Sequence, residues 1–267
     1  MLKKVLLGLS LVATALCVLL AYLAYAALSL IVELSDSYIR FSLSGVHTMD
    51  TQLQRDGHAN VRLVGMMHFG ATESYESLYR SFAKPSSLIL EEGISDAKRP
   101  ARTSYRCATE TTINSARNVM EQPSLCIIKG AHRVGHVSQA RGTSSIDIVN
   151  ADVNLQDMSL QTQEWIERNL GLLKKLTEGD FDNLEWGLII QQFSSSIPKE
   201  VWDDILYARN DHVIETFKQA ADHYDHVVIP WGAMHGPGIQ QALLDLGYTA
   251  NEHQYHLVLP WRALLEL

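Results

Sequence analysis

Two well-separated segments end in one pattern: Gly65-Met66-Met67-His68 and Gly232-Ala233-Met234-His235. Each follows an apolar run, residues 61–64 and 227–231. A neutral imidazole is the commonest metal ligand, and an ion held by three protein groups keeps a position open for water. Two histidines delivered in the same way therefore point to one divalent-ion site. Glu91 and Glu92 close another apolar run, Ser87-Leu88-Ile89-Leu90, and offer a further ligand or a general base. Arg209, with Asn210 beside it, falls on an apolar helical stripe. A guanidinium there must meet an anion, either a protein acid or a bound substrate or intermediate. Asp152 ends an alternating run, 145–152, where it can orient a ligand or cap the next helix.

These side chains require a scaffold that brings distant segments together. Residues 61–65 read as a buried strand, 72–83 as a helix ended by Pro85, and 87–93 as a second strand, which is a βαβ unit. Its strands are then parallel and share one C-terminal rim, the edge of an open α/β sheet where ligands bind. The glycines of the two motifs read as chain reversals at that rim, with His68 and His235 just beyond it. Glu91 or Glu92 falls beside His68, and strand alternation lets at most one of them point straight at the site. The helix from about 199 to 222 carries Trp202, Ile205, Leu206, Val213, Phe217 and Ala220 as one stripe around Arg209. Helices at about 159–177 and 182–194 read as structural, 238–246 as a short helix closed by Gly247, and 248–259 as an edge strand. His47, His58, His253 and His256 read as surface or packing residues, and His132 and His136 as part of a loop.

The 267 residues carry a formal charge of -8 with Lys and Arg scattered, which argues against a nucleic-acid surface. Residues 5–32, 28 in all, hold no charged side chain and follow Lys3 and Lys4. That run is long enough to cross a bilayer, with the lysines cytoplasmic and the body exported to the periplasm or outside the cell. Ala24-Tyr25-Ala26 keeps a cleaved signal peptide open as the competing reading. Cys107 and Cys126 can close one loop in an oxidising compartment or stay as two buried thiols.

Taken together, Gly65-Met66-Met67-His68, the acid ending Leu88-Ile89-Leu90-Glu91, Arg209-Asn210 and Gly232-Ala233-Met234-His235 resemble the TraB/PrgY/GumN superfamily, which includes the Tiki proteases. The likeness covers mostly 61–93 and 199–250. It implies an α/β core and a metal-dependent hydrolytic site, with His68 and His235 as ligands, Glu91 as a ligand or base, and Arg209 matching a helix arginine. Glu92, where an apolar residue is more usual, is a departure that leaves open which carboxylate acts. The expected architecture is an anchor or signal peptide over 1–33, a lead-in over 34–59, and an α/β domain over 60–267. That domain has a mixed or mainly parallel central sheet flanked by helices, with the paired motifs at strand C-terminal ends. The expected function is that of an exported, membrane-anchored metal-dependent hydrolase acting on a peptide or small molecule. Glu91 or Glu92 acts as base, and Arg209 and Asn210 assist. Manganese, cobalt and zinc all suit the donor set. The alternative is a module of the same fold that captures a peptide or signal without turnover.

Overall fold

A computed structural model describes residues 14–19, 22–23, 25–26, 28–33, 35–67, 69–94, 119–121, 131–133, 146–177 and 197–265. His68, Cys107, Cys126, His136 and the expected helix at 182–194 lie outside the described residues. Those between 14 and 33 are helical, with Leu16, Leu19, Leu23 and Leu30 exposed. Among the described residues no helix is long and apolar enough to cross a membrane.

The molecule is α/β, built on a mixed eight-stranded sheet. Its parallel half runs β3 (Asn60–Met66), β9 (His226–Gly232), β5 (Ser87–Glu91), β8 (Ile146–Asn150), β7 (Ala131–Arg133). The strands on either side of α1 (Thr72–Arg80) are parallel, as a βαβ unit demands, but β9 enters between them. The two histidine motifs thus leave adjacent strands, one residue out of step: Gly65 lies opposite Trp231, and Met66 opposite Gly232. His132 sits in β7 rather than in a loop; three residues are too short a run to announce a strand. Phe69–Ala71 (β4) and Val119–Glu121 (β6) form a separate two-stranded ribbon.

The lead-in, 34–59, supplies two strands of the same sheet, β1 (Ile39–Phe41) and β2 (Gly45–Gln54). Along one edge β2 pairs antiparallel with β10 (Thr249–Pro260) over its whole length. Along the other it pairs with β3 at residues 50–53 and with β1 at 46–48, so β1 stands beyond the C-terminal end of β3. In sequence β2 looks polar because its buried side chains Thr48, Asp50 and Thr51 are polar. Asp50 is satisfied by Arg62, whose Nε and Nη2 donate to Oδ2 at 2.8 and 2.6 Å, and by His256 Nε2 at 2.8 Å. Burial pushes the Asp50 carboxyl up, but hydrogen bonds from His256 and Arg62 outweigh it and hold it below the ordinary 3.8. A depressed folded-state value means the unfolded chain binds the proton more tightly. The contribution is therefore complete above 3.8 and lost as pH falls through the lower folded value. Asp50→Asn is expected to flatten the acid limb of a stability-versus-pH curve; an unchanged limb would show that other carboxylates set it.

Pleating divides the side chains between two cores. Leu88, Leu90, Val227, Ile229 and Trp231 meet Val213 and Phe217 of α4 (Arg209–Ala220) and Ile239 and Leu243 of α5 (Gly236–Asp245). Val64, Ile89, Ile148 and Val228 face Tyr75, Leu78 and Tyr79 of α1 instead. Each such buried aliphatic contributes roughly 1.5–3 kcal/mol. A one-residue slip would turn the strand's whole set to the wrong face, so the register is firmly set.

The expected single helix at 199–222 is interrupted. Lys199–Trp202 (α3) passes through a π-helical turn, Asp203–Ala208, into α4. A π turn takes more residues per revolution, so the apolar residues ahead of it fall out of line with Val213 and Phe217. Trp202, Ile205 and Leu206 leave the buried stripe and line a cavity instead. Asp204 holds the turn in place, accepting hydrogen bonds from Ser159 N, Ser159 Oγ and Thr162 Oγ1 at 2.9, 2.6 and 2.6 Å at the start of α2 (Leu160–Thr177).

Candidate functional site

The ends of β5, β8 and β9 meet the first residues of α4 at the C-terminal rim of the parallel strands. Parity separates the two acids there. Glu91 follows Ile89 toward the α1 face, while Glu92 continues the line of Leu88 and Leu90 toward α4. Glu92 lines the rim cavity and Glu91 does not.

Arg209 is the hub. Its Nε and Nη2 donate to Asp152 Oδ1 and Oδ2 at 2.9 and 2.6 Å, the two-point grip that suits a planar guanidinium. Nη2 also donates to Glu92 Oε1 at 2.6 Å. Burial opposes the guanidinium charge, yet Asp152 and then Glu92 carry its pKa above the ordinary value. The Asp152 carboxylate also accepts from the backbone N–H of Gly93 at 2.9 Å and of Val153 at 2.8 Å. It is fully buried, so it orients Arg209 and not a ligand.

His235 ends a short 3-10 turn, Ala233–His235, between β9 and α5. Its Nδ1 lies 2.7 Å from Asn210 Oδ1. An amide oxygen only accepts, so this pairing assigns the ring proton to Nδ1 and leaves a lone pair on Nε2. Nε2 accepts from Arg209 Nη1 at 3.2 Å and lies 3.7 Å from Glu92 Oε1. The ring stands edge-on to Trp231, centroids 5.3 Å apart, and Trp231 Nε1 donates to Leu90 O at 3.0 Å.

Two motif glycines act through close approach. Gly65 lies within β3, not at a reversal, and a Cβ there would come within 3.0 Å of the Tyr38 ring. Gly232 donates its N–H to Glu92 Oε2 at 2.6 Å, and a Cβ would stand 3.3 Å from that oxygen. The resulting cavity of about 310 Å³ has one polar wall of Glu92, Arg209 and His235. Ile39, Met66, Met67, Trp202, Ile205 and Leu206 form most of the apolar remainder, with Gly232, Ala233 and Met234.

No family model, curated protein or solved structure matches this chain.

The structure thus brings together Glu92, Asp152, Arg209, Asn210 and His235 from three strand ends and one helix. It sets Glu91 apart, and His68, two residues past the end of β3, lies outside the described residues. Among the described residues no three His, Cys, Asp or Glu side chains form a metal-binding group. His235 Nε2 and Glu92 Oε1, 3.7 Å apart, nevertheless suit neighbouring positions on one divalent ion, since two ligands at about 2.1 Å each stand at most about 4.2 Å apart. Sequence reasoning missed buried Trp231, which backs the His235 ring, and the cavity residue Ile39. Trp231 could have been found as the strand residue sharing a face with Val227 and Ile229; Ile39 carries no local signal.

Proposed function

We propose that the rim cavity is the active site of a divalent-metal-dependent hydrolase acting on peptides, exported and held at a membrane by its N-terminal segment. The reading is carried by one observation: Asn210 fixes His235 in the Nδ1–H form, so that Nε2 presents a lone pair beside Glu92 in the rim cavity. Such an orienting hydrogen bond is the usual companion of a ligating or proton-accepting histidine. His235 and Glu92 would hold the ion, with His68 as third ligand because it follows Met67, a cavity residue, in sequence. Glu92 replaces Glu91 in this set. When bound, the ion would supply Lewis acidity and a water of lowered pKa. Arg209, locked by Asp152, presents Nη1 to an oxyanion or to a substrate carboxylate. The uncharged run at 5–32 and the exposed leucines between 14 and 33 support the anchor.

The test is elemental analysis of the purified chain, joined to peptide hydrolysis after chelation and add-back of manganese, cobalt or zinc. His68→Ala and His235→Ala should each remove metal and activity together. Activity indifferent to chelation and to both substitutions would sink the proposal.

One contact favours a second reading. Arg209 Nη1 sits on the Nε2 lone pair that an ion needs. In that reading the cavity captures a peptide without turnover, the protein purifies without metal, and chelation leaves binding intact.

A further inference from the structure

We infer that this site takes its ligand from the surface of the membrane that holds the N-terminal segment, the ligand being a stretch of a membrane-bound polypeptide just outside the bilayer. The inference rests on the anchor and the cavity assigned above and adds the place from which the substrate comes.

The junction between the N-terminal helix and the sheet is tight. Ser35 is buried; its Oγ donates to Val32 O and accepts from Ile39 N, each at 3.1 Å. Backbone N–H groups of Ser35, Asp36, Ser37 and Tyr38 donate to Ile31, Glu33, Val32 and Ser35 carbonyls at 2.8–3.1 Å. Every N–H from 35 to 39 is therefore satisfied locally, with Asp36 and Ser37 in the left-handed region at φ 44° and 66°. Such a segment is a fixed corner and not a loose tether.

That corner is pinned to the site. Buried Tyr38 donates its hydroxyl to Gln240 Oε1 at 2.7 Å. Its ring covers Gly236, the residue after His235, where a Cβ would fall 2.4 Å from the ring. The next residue, Ile39, lines the cavity. From Glu33 to Ile39 is six residue steps, which at about 3.5 Å each cap the separation at about 21 Å.

The direction is also set. Because β1 continues the line of β3 past its C-terminal end, the helix joins the sheet at the end where the cavity opens. The turn after β1 carries a fully exposed Leu43. Beside it Phe41 stacks on Trp261, whose Nε1 donates to Ser42 O at 2.8 Å. An exposed leucine next to an amphipathic tryptophan suits the headgroup layer.

The experiment places the full chain in phosphatidylethanolamine–phosphatidylglycerol vesicles with a Leu-Met-Phe peptide displayed on a single transmembrane helix through a Gly/Ser spacer. A photoreactive benzoyl-phenylalanine at position 207, exposed beside Leu206, reports proximity to the cavity without need of turnover. Effective concentration falls roughly as the −3/2 power of tether length, so lengthening the spacer from about 5 to about 40 residues should cut crosslinking roughly 20-fold. Inserting about 20 Gly/Ser residues between positions 34 and 35 should reduce that ratio to about fourfold. Equal capture at both lengths, or better capture with the long spacer, would overturn the inference, as would removal of the N-terminal segment from the mature protein. Short-spacer preference without hydrolysis sustains it while the hydrolase reading fails; hydrolysis without spacer preference does the reverse.

Discussion

Arg209→Ala is expected to cost about 3–5 kcal/mol of unfolding free energy, the range for breaking a buried ion pair from one side. The reason lies in what remains. Asp152 and Glu92 together place two carboxylates on one guanidinium, with side chains 0% and 9% exposed. Without it they stay buried with no cation against them among the described residues, held by the backbone N–H groups of Gly93, Val153 and Gly232. Removing both partners in Arg209→Ala/Asp152→Ala should cost less than the sum of the single changes. Urea unfolding of the full chain in detergent, followed by tryptophan fluorescence, checks all of this. A deficit under about 1 kcal/mol, within the range of exposed pairs, would show that the cluster is not the desolvated network described.

The rim itself was legible in the sequence because it follows from counting. Apolar runs of five to seven residues around a helix-length segment make parallel strands, and parallel strands end together. That logic reaches Glu91 and Glu92, Asp152 and His235 without coordinates. It cannot choose between the two acids, since parity assigns them to opposite faces but does not say which face α4 covers. Only the packing of Val213 and Phe217 against Leu88 and Leu90 decides for Glu92. Nor is the β3-β9-β5 order legible, because insertion of a late strand depends on distant contacts. The π turn at Asp203–Ala208 defeats a constant 100° phase, so Trp202 and Leu206 read as core when they line the cavity. The strand β2 was hidden for another reason. Its buried Asp50 and Thr51 answer to an ion pair and a hydrogen bond, and a hydropathy pattern sees only polarity.

The largest effect on turnover should come from His235, and its neighbours tell whether it acts as the geometry indicates. His235→Ala removes the imidazole whose Nε2 stands 3.7 Å from Glu92 Oε1, and should lower kcat/KM by about 10²–10⁴. Asn210→Ala leaves the imidazole in place but frees its tautomer and orientation, a loss of about 10–100-fold for such supporting partners. The fall should appear in kcat more than in KM, because Asn210 holds a side chain and not the substrate. Gly238→Ala makes a sharper test of the same idea. A Cβ at Gly238 would stand 2.4 Å from Asn210 Nδ2, so the amide must move although its sequence is untouched. That substitution should reproduce the Asn210→Ala loss, again in kcat more than in KM, while Gly232 and Glu92 keep their contact. Full activity in Gly238→Ala, with the protein folded, would mean that His235 does not depend on Asn210 for its orientation, and the catalytic reading would lose its carrying observation.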